Sequence, residues 1–531
     1  MLVKTWLSGH LSSPPALPRM RLGPEGNPDN PLMLQFFTWD TLNPSGMSLW
    51  KHLECEIPHL AAMGFTQVWI PPPNKAAQPE GRGYDAYDLW DLGEFDQKGK
   101  LAHAIQFEGA IKTRWGTRDE LLQACRMATA HGIDIIIDAV LNVVHKLGAD
   151  RLEKLDAVPV DPQNRLKNAG PVREIDGWTA FDFKGRGNKY SSFQWTKHHF
   201  TGLDWDHRTR TQAVYKIADK GRKGWSKYVA KELGNYDYLL GVDIDHRHPE
   251  VQKDLLTWGV WILETTGAVG FRLDAIKHFD RRFLFHFITH VRRQSEKPRM
   301  FSVSEYWSAD LKLIMPYIKA FRGETAFFDV PLHNNFHVAS RNHSQYDLRT
   351  ILNNTIVKAR PNDAVTFVDN HEGTNSTVIG QSLESWVDTN FKIQAYSLIL
   401  LRPNGHPCVF YGDLYPNDEG YNAEISRDLK LLIEARKKFA YGLCYDYFKD
   451  PKCIGFVRTG DSLHPGCVVL LSNKEDPTGS FTHTVRMFVG REHARSVFRA
   501  FLSPQDSINI DANGWGEFAC PSNRVQVWVR A

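Results

Sequence analysis

The chain has 531 residues, with 64 basic and 61 acidic side chains and a formal charge of +3. Apolar residues make up 42% and charged residues 24%, the mix of a folded globular protein and not of a disordered one. The near balance of charge argues against a protein built to hold nucleic acid, and no apolar run reaches the roughly 18 residues of a membrane span.

Residues 1–30 are rich in proline and glycine and are expected to form a flexible arm. Beyond them, short and almost continuously apolar runs occur at 32–39, 65–70, 133–141, 269–273, 300–304, 326–330, 364–368 and 408–411. Between the runs lie helix-spaced patterns, such as Leu49, Leu53, Ile57 and Leu60, and later Leu255, Val260, Ile262 and Leu263. Apolar strands alternating with helices indicate a parallel sheet covered on both faces. Eight such units predict an α/β protein built on a closed (β/α)₈ TIM barrel. A doubly wound sheet is the alternative, but the glycine fingerprint usual after its first strand is missing.

Two stretches break the alternation. More than a hundred residues between Leu141 and Val269 are polar and rich in Gly, Lys, Asp, Trp and Tyr. A structureless loop of that length is implausible, so a domain is expected to be inserted after the third strand. After about residue 444, the segments 454–457, 467–471, 485–488 and 525–529 are short and β-like, as in a C-terminal antiparallel β domain. The predicted division is an arm at 1–30, a barrel at 31–142 and 241–443, an inserted domain B at 143–240 and a domain C at 444–531. The seven cysteines are odd in number, scattered and without a CxxC pair. They read as reduced thiols of a cytoplasmic protein.

In an α/β barrel, chemistry sits where strands end at the carboxyl face. The third run leads to Asp138 and Asn142. The fourth is GFRLDAIKH, with Arg272, Asp274, Lys277 and His278. The fifth, FSVSEYW, carries Glu305, and the seventh, FVDNHE, carries Asp369, His371 and Glu372. An isolated acid here is most often a loop cap or a weak surface ion pair; four strand ends with acids, in order along the chain, are a different matter. Converging carboxylates without a nucleophilic Ser or Cys, and without a phosphate loop, suit glycoside hydrolysis. One carboxylate attacks the anomeric carbon and a second acid protonates the leaving oxygen.

These segments, with DAVLN, GYDAYDLWDLGEF, NYDYLLGVDIDHRHPEV, GQSLESWV and HPCVFYGDLY, resemble the α-amylase family of glycoside hydrolases. The likeness is to the liquefying bacterial type and its intracellular fungal counterparts, and it runs from about Leu32 to the C-terminus. It implies that Asp274 is the nucleophile, Arg272 its positioning partner and Glu305 the acid/base, with Glu372 as third carboxylate. It places Tyr84 under the sugar ring, Trp307 beside Glu305, Lys277 and His278 on the leaving-group side, and His371 on sugar hydroxyls. It also implies a structural calcium ion held by Asn142, Asp237, Asp243 and the backbone carbonyl of His278. The implied partner is an α-glucan or maltooligosaccharide, with no nucleic acid or membrane partner, acted on by a monomer. In fungi such relatives are associated with cell-wall α-glucan formation.

Two departures stand out. The family has Asp where Glu372 stands, and an extra methylene moves a carboxylate by about 1.5 Å. The family also places a His directly after the Asn at 142, whereas Val143 and Val144 precede His145 here. The expectation is weakened or transfer-prone hydrolysis, the rival being a catalytically impaired glucan-binding or regulatory protein. Thr201 and Ser226 stand where relatives with a larger metal cluster carry acids, so a single ion is expected.

Overall fold

The computed structural model describes residues 13–24, 29–41, 46–98, 111–144, 148–221, 224–372, 385–503 and 506–531. All eight apolar runs become barrel strands: β1 (Met33–Gln35), β2 (Gln67–Ile70), β3 (Asp134–Ala139), β4 (Gly270–Leu273), β5 (Phe301–Ser304), β6 (Ala326–Phe328), β7 (Ala364–Phe367) and β8 (His406–Phe410). They pair in parallel in chain order, and β1 closes the ring by pairing with both β2 and β8. Every residue of these strands is buried, as a sheet packed on both faces requires. The helix Leu49–Met63 shows how the sequence builds the outer layer. The side chain of Ser48 accepts from the Lys51 N–H at its start, Leu49, Leu53, Ile57 and Leu60 turn inward, and Gly64, at φ 98°, ends it.

The long insertion is an antiparallel sheet. Val143–Val144 pairs with Val242–Ile244, which pairs with Phe200–Asp206, followed by Thr211–Ile217, Arg151–Asp161 and Asn164–Asn168; Arg173–Ala180 also pairs with Arg151–Asp161. The excursion therefore closes at Ile244, a few residues past 240. The C-terminal residues form a six-stranded antiparallel sheet opening at Cys444–Tyr447, faced by a two-stranded antiparallel sheet of Thr482–Phe488 with Trp515–Pro521. Among the described residues no helix is long and apolar enough to cross a membrane.

The expected flexible arm is corrected for residues 13–24. Ala16, Leu17 and Met20 are buried in the main core. The Ala16 N–H donates to Asp363 Oδ1 at 2.9 Å, and Arg21 grips Asp134, at the start of β3, with two bonds of 2.7 Å. The segment, with a short 3₁₀ turn at Leu17–Arg19, straps the amino-terminal end of the barrel, because its apolar side chains find a surface to cover.

Candidate active site

Strand register builds the site. Arg272 of β4 lies opposite Asp138 of β3, and Leu273 lies opposite Ser304 of β5. One residue further on, Asp274 and Glu305 leave the barrel side by side. Arg272 Nη1 is 2.8 Å from Asp138 Oδ1 and 2.6 Å from Asp274 Oδ1, while Nη2 is 3.0 Å from Glu305 Oε2. One buried guanidinium thus serves three carboxylates. Burial pushes the Asp274 carboxyl well above the usual range; Arg272 pulls it down, and the charges of Glu305 and Asp138 push it up again. Burial and the neighbouring acids thus oppose ionisation of Asp274, and the Arg272 guanidinium favours it. Ala275 adopts a left-handed backbone with φ 44°, which aims its N–H at Glu305 Oε2, 3.0 Å away. A non-glycine residue in that conformation costs about 1 kcal/mol.

Aromatic rings wall the site toward β1 and β2. Trp69 Nε1 and the Tyr84 hydroxyl both donate to Asp138 Oδ2, at 3.0 and 2.7 Å. The Tyr84 ring lies nearly parallel to His371, with centroids 5.1 Å apart, and to Trp39 at 5.6 Å. The Gln35 amide donates to His371 Nδ1 at 3.0 Å. The imidazole proton therefore sits on Nε2, which faces Glu372 Oε1 at 3.4 Å. Burial opposes the charge on Glu372, but His371 and Arg272 hold its carboxyl below the usual range.

On the other side of Glu305, Lys277 Nζ lies 3.3 Å from both Glu232 Oε1 and the Trp307 carbonyl. Trp307 is half-buried, its ring 5.6 Å from His333. The His278 ring is buried against Tyr236 and donates from Nδ1 to the Tyr236 carbonyl at 2.7 Å; burial pushes its pKa down to about 3, so it is neutral. The structure thus gathers Asp274, Glu305, Arg272, Tyr84, His371 and Glu372 around one point, with Lys277 and Trp307 alongside. His145 lies outside the described residues. Val143 and Val144 pair with Asp243 and Val242 and open the sheet of the inserted domain. Sequence reasoning assigned no role to Asp138, Gln35, Trp39 or Trp69. A charged residue inside an otherwise apolar strand was the available signal for Asp138.

The residues expected to hold calcium are buried together. Both side-chain polar atoms of Asn142 and Oδ1 of Asp243 have no hydrogen-bond partner. Burial pushes Asp237 up to about 8, and burial with the Asp237 charge pushes Asp243 well above its usual range. Orphaned oxygens and two carboxylates that resist ionisation fit a hard divalent cation. Thr201 Oγ1 donates to Asp243 Oδ2, and the Ser226 N–H to Asp237 Oδ2 at 2.7 Å. A second group, His199, His248 and Glu250, brings three ligand atoms within 4.8 Å of one another. There the Thr196 N–H donates to His199 Nδ1 at 2.9 Å, so Nε2 keeps its proton and points at Glu250, an arrangement for a hydrogen bond rather than a metal.

The chain is 41% identical over 503 residues to an α-amylase of Geobacillus stearothermophilus, covering 94% of this chain and 87% of that protein. The chain belongs to the α-amylase family of glycoside hydrolases. It is also 38% identical over 513 residues to the cytoplasmic α-amylase of Escherichia coli, covering 94% and 99% of the two chains. A glucan 1,4-α-maltohexaosidase of a Bacillus species is 40% identical over 505 residues, covering 95% of this chain and 93% of that one. The solved α-amylase of Geobacillus thermoleovorans, complexed with acarbose, shares the fold with a TM-score of 0.59 at 18% identity, over 95% of this chain and 98% of that one. No family model matches the sequence.

Proposed function

We propose that the chain is a retaining, endo-acting α-amylase that cleaves α-1,4-glucosidic links in starch- or glycogen-type glucans and maltooligosaccharides. The observation that carries the reading is the single Arg272 guanidinium holding Asp274 and Glu305 together. That closeness fits the short carboxylate separation of about 5–5.5 Å used in retaining cleavage. The reaction needs Glu305 as a proton donor and Asp274 as an anion, which the Arg272 contact favours. An Asp274 oxygen attacks C1 of a ring stacked on Tyr84, the C1–O bond breaks, and the Glu305 proton passes to the departing oxygen. Water, or a second sugar hydroxyl, then attacks C1 and returns a proton to Glu305, which frees Asp274. His371 and Glu372 are placed to bond the hydroxyls of the reacting ring.

Asn142, Asp237, Asp243 and the His278 carbonyl would hold one calcium ion, which supplies a structural cross-link between barrel and inserted domain. The Thr201 hydroxyl and the Ser226 N–H already satisfy oxygens of Asp243 and Asp237, which supports one ion rather than a cluster. Seven free thiols and the name of the Escherichia coli relative support a cytoplasmic enzyme, which is expected to act as a monomer. Making or trimming a primer for cell-wall α-glucan is a variant of the same reading. A second reading, a catalytically impaired glucan-binding protein, is favoured by Glu372 folding back onto His371.

Purified protein incubated with maltoheptaose and calcium is expected to release new reducing ends, and Glu305→Gln to lose on the order of 10²–10⁴ of that rate. Equal trace rates for both proteins would refute catalysis by this site and leave the binding reading.

A further inference from the structure

Behind β7, where the barrel meets the C-terminal domain, lies a cavity of about 190 Å³. None of the residues that border it belongs to the active site. Its apolar walls include Leu332, Val357, Leu398 and Phe448, from the helices Val330–Asn342, Ile356–Ala359 and Thr389–Leu401 and from the residues just past the strand Cys444–Tyr447. Thr366, the third residue of β7, borders it too, and the buried Thr366 Oγ1 has no hydrogen-bond partner among the described residues. A hydroxyl out of water and unmet is costly. Charge is uneven around the same space. Arg349, Lys358 and Arg402 border it against one acid, Asp446, among the described residues. Arg349 is held by Asp347 at 2.7 Å, whereas Lys358 Nζ donates to the neutral Asn353 Oδ1 at 2.7 Å. Arg402 reaches Asp446 with bonds of 2.6 and 3.2 Å, and its guanidinium lies 5.5 Å from the centre of the Phe448 ring. The Arg402 side chain is 11% exposed and that of Asp446 45%, so the acid can turn to water while the guanidinium stays. A weakly hydrated fork of donors beside an apolar wall suits a second carboxylate.

We propose that this cavity binds a small amphipathic carboxylate, a single ring or an aliphatic body of like size bearing one acid group. The volume sets the size, since an apolar cavity of about 150 Å³ holds benzene, which leaves room for a ring and little more than its acid group. The charge sets the sign, with Arg402 and Lys358 as partners for the carboxylate. The unmet Thr366 hydroxyl favours a guest with an oxygen acceptor over a hydrocarbon. The site stands apart from the α-amylase reading and does not rest on it.

Phenylacetate is the probe, with 2-phenylethanol as a neutral molecule of the same body and acetate as the charge without the body. Titration of the full chain is expected to show one phenylacetate site with a Kd of about 1 mM or tighter, and binding of both controls weaker by about tenfold or more. Thr366→Val, which keeps the shape and removes the hydroxyl, is expected to weaken phenylacetate by about tenfold. Lys358→Met, on the surface, is expected to weaken it by about threefold. Val357→Phe fills the space and is expected to abolish binding; should that variant fail to fold, the other two still decide. No binding of phenylacetate up to about 10 mM would overturn the proposal. Equal binding of 2-phenylethanol would overturn it as well, by showing an apolar void indifferent to charge. Undiminished binding in Thr366→Val and Lys358→Met, or in folded Val357→Phe, would place the ligand elsewhere and overturn it too.

Discussion

Glu372 shows how much one methylene decides. The His371 Nε2–H that would serve a sugar hydroxyl faces the Glu372 carboxylate at 3.4 Å. A sugar has to displace that contact, and a misplacement of about 1 Å at a reacting centre can lower a rate on the order of a hundredfold. Glu372→Asp is therefore expected to raise kcat on maltoheptaose by about tenfold, measured by reducing-end release; an unchanged or lower kcat would show the backbone to be fitted to the longer acid. Arg272 was legible from GFRLD, but its full load was not. Its contact with Asp138 depends on strand register across β3 and β4, which a linear reading does not supply. Gln35 was hidden for a similar reason: its partner, His371, is 336 residues away.

At the scale of elements, the exit of β7 is held from behind by buried charge. Lys392, on the helix Thr389–Leu401, lies 3.0 Å from Asp369 Oδ2 and also pairs with Asp413 after β8; Tyr396 donates to Asp413 at 2.7 Å. Burial, with the Asp413 charge, pushes Asp369 up to about 7 against the pull of Lys392. Removing the cation leaves two buried acids without a counter-charge. Lys392→Met is thus expected to destabilise the fold by about 3–5 kcal/mol in urea unfolding; a change below about 1 kcal/mol would mean that water replaces the ammonium. The strap at 13–24 makes a similar point. Its prolines read as an arm because composition reports local stiffness and not the surface available for docking. Deleting residues 1–22 is expected to lower the melting temperature by several degrees, since Arg21 and the buried Leu17 and Met20 go with them; an unchanged melting temperature would show the strap to be passive.

For the whole molecule, the barrel was legible because each strand is a compact apolar run, whereas the inserted domain was legible only as an interruption. Strands such as Arg151–Asp161, Arg173–Ala180 and Thr211–Ile217 mix buried and exposed residues and offer no compact apolar run. The assembled core also sets a pH dependence. Burial pushes His333 down to about 4 and His406 to about 3, against about 6.5 in an unfolded chain. Between those values the unfolded state binds more protons, so stability rises with pH through that window and is lost as pH falls below about 6.5. Each ring contributes on the order of 3 kcal/mol at the acid end. Relative to a variant carrying His333→Gln and His406→Gln, which leaves the raised buried acids in place, the urea midpoint is accordingly expected to fall more steeply between about pH 6.5 and 4.5, and equal slopes would mean these rings protonate without unfolding. The central claim is that Asp274 takes the sugar while Glu305 passes the proton. Trapping with a 5-fluoro-α-glucosyl fluoride, followed by mass spectrometry of the digested protein, tests it most directly. The adduct is expected on the peptide carrying Asp274, whereas an adduct on another carboxylate, or its absence from an enzyme that turns over maltoheptaose, would contradict the assignment.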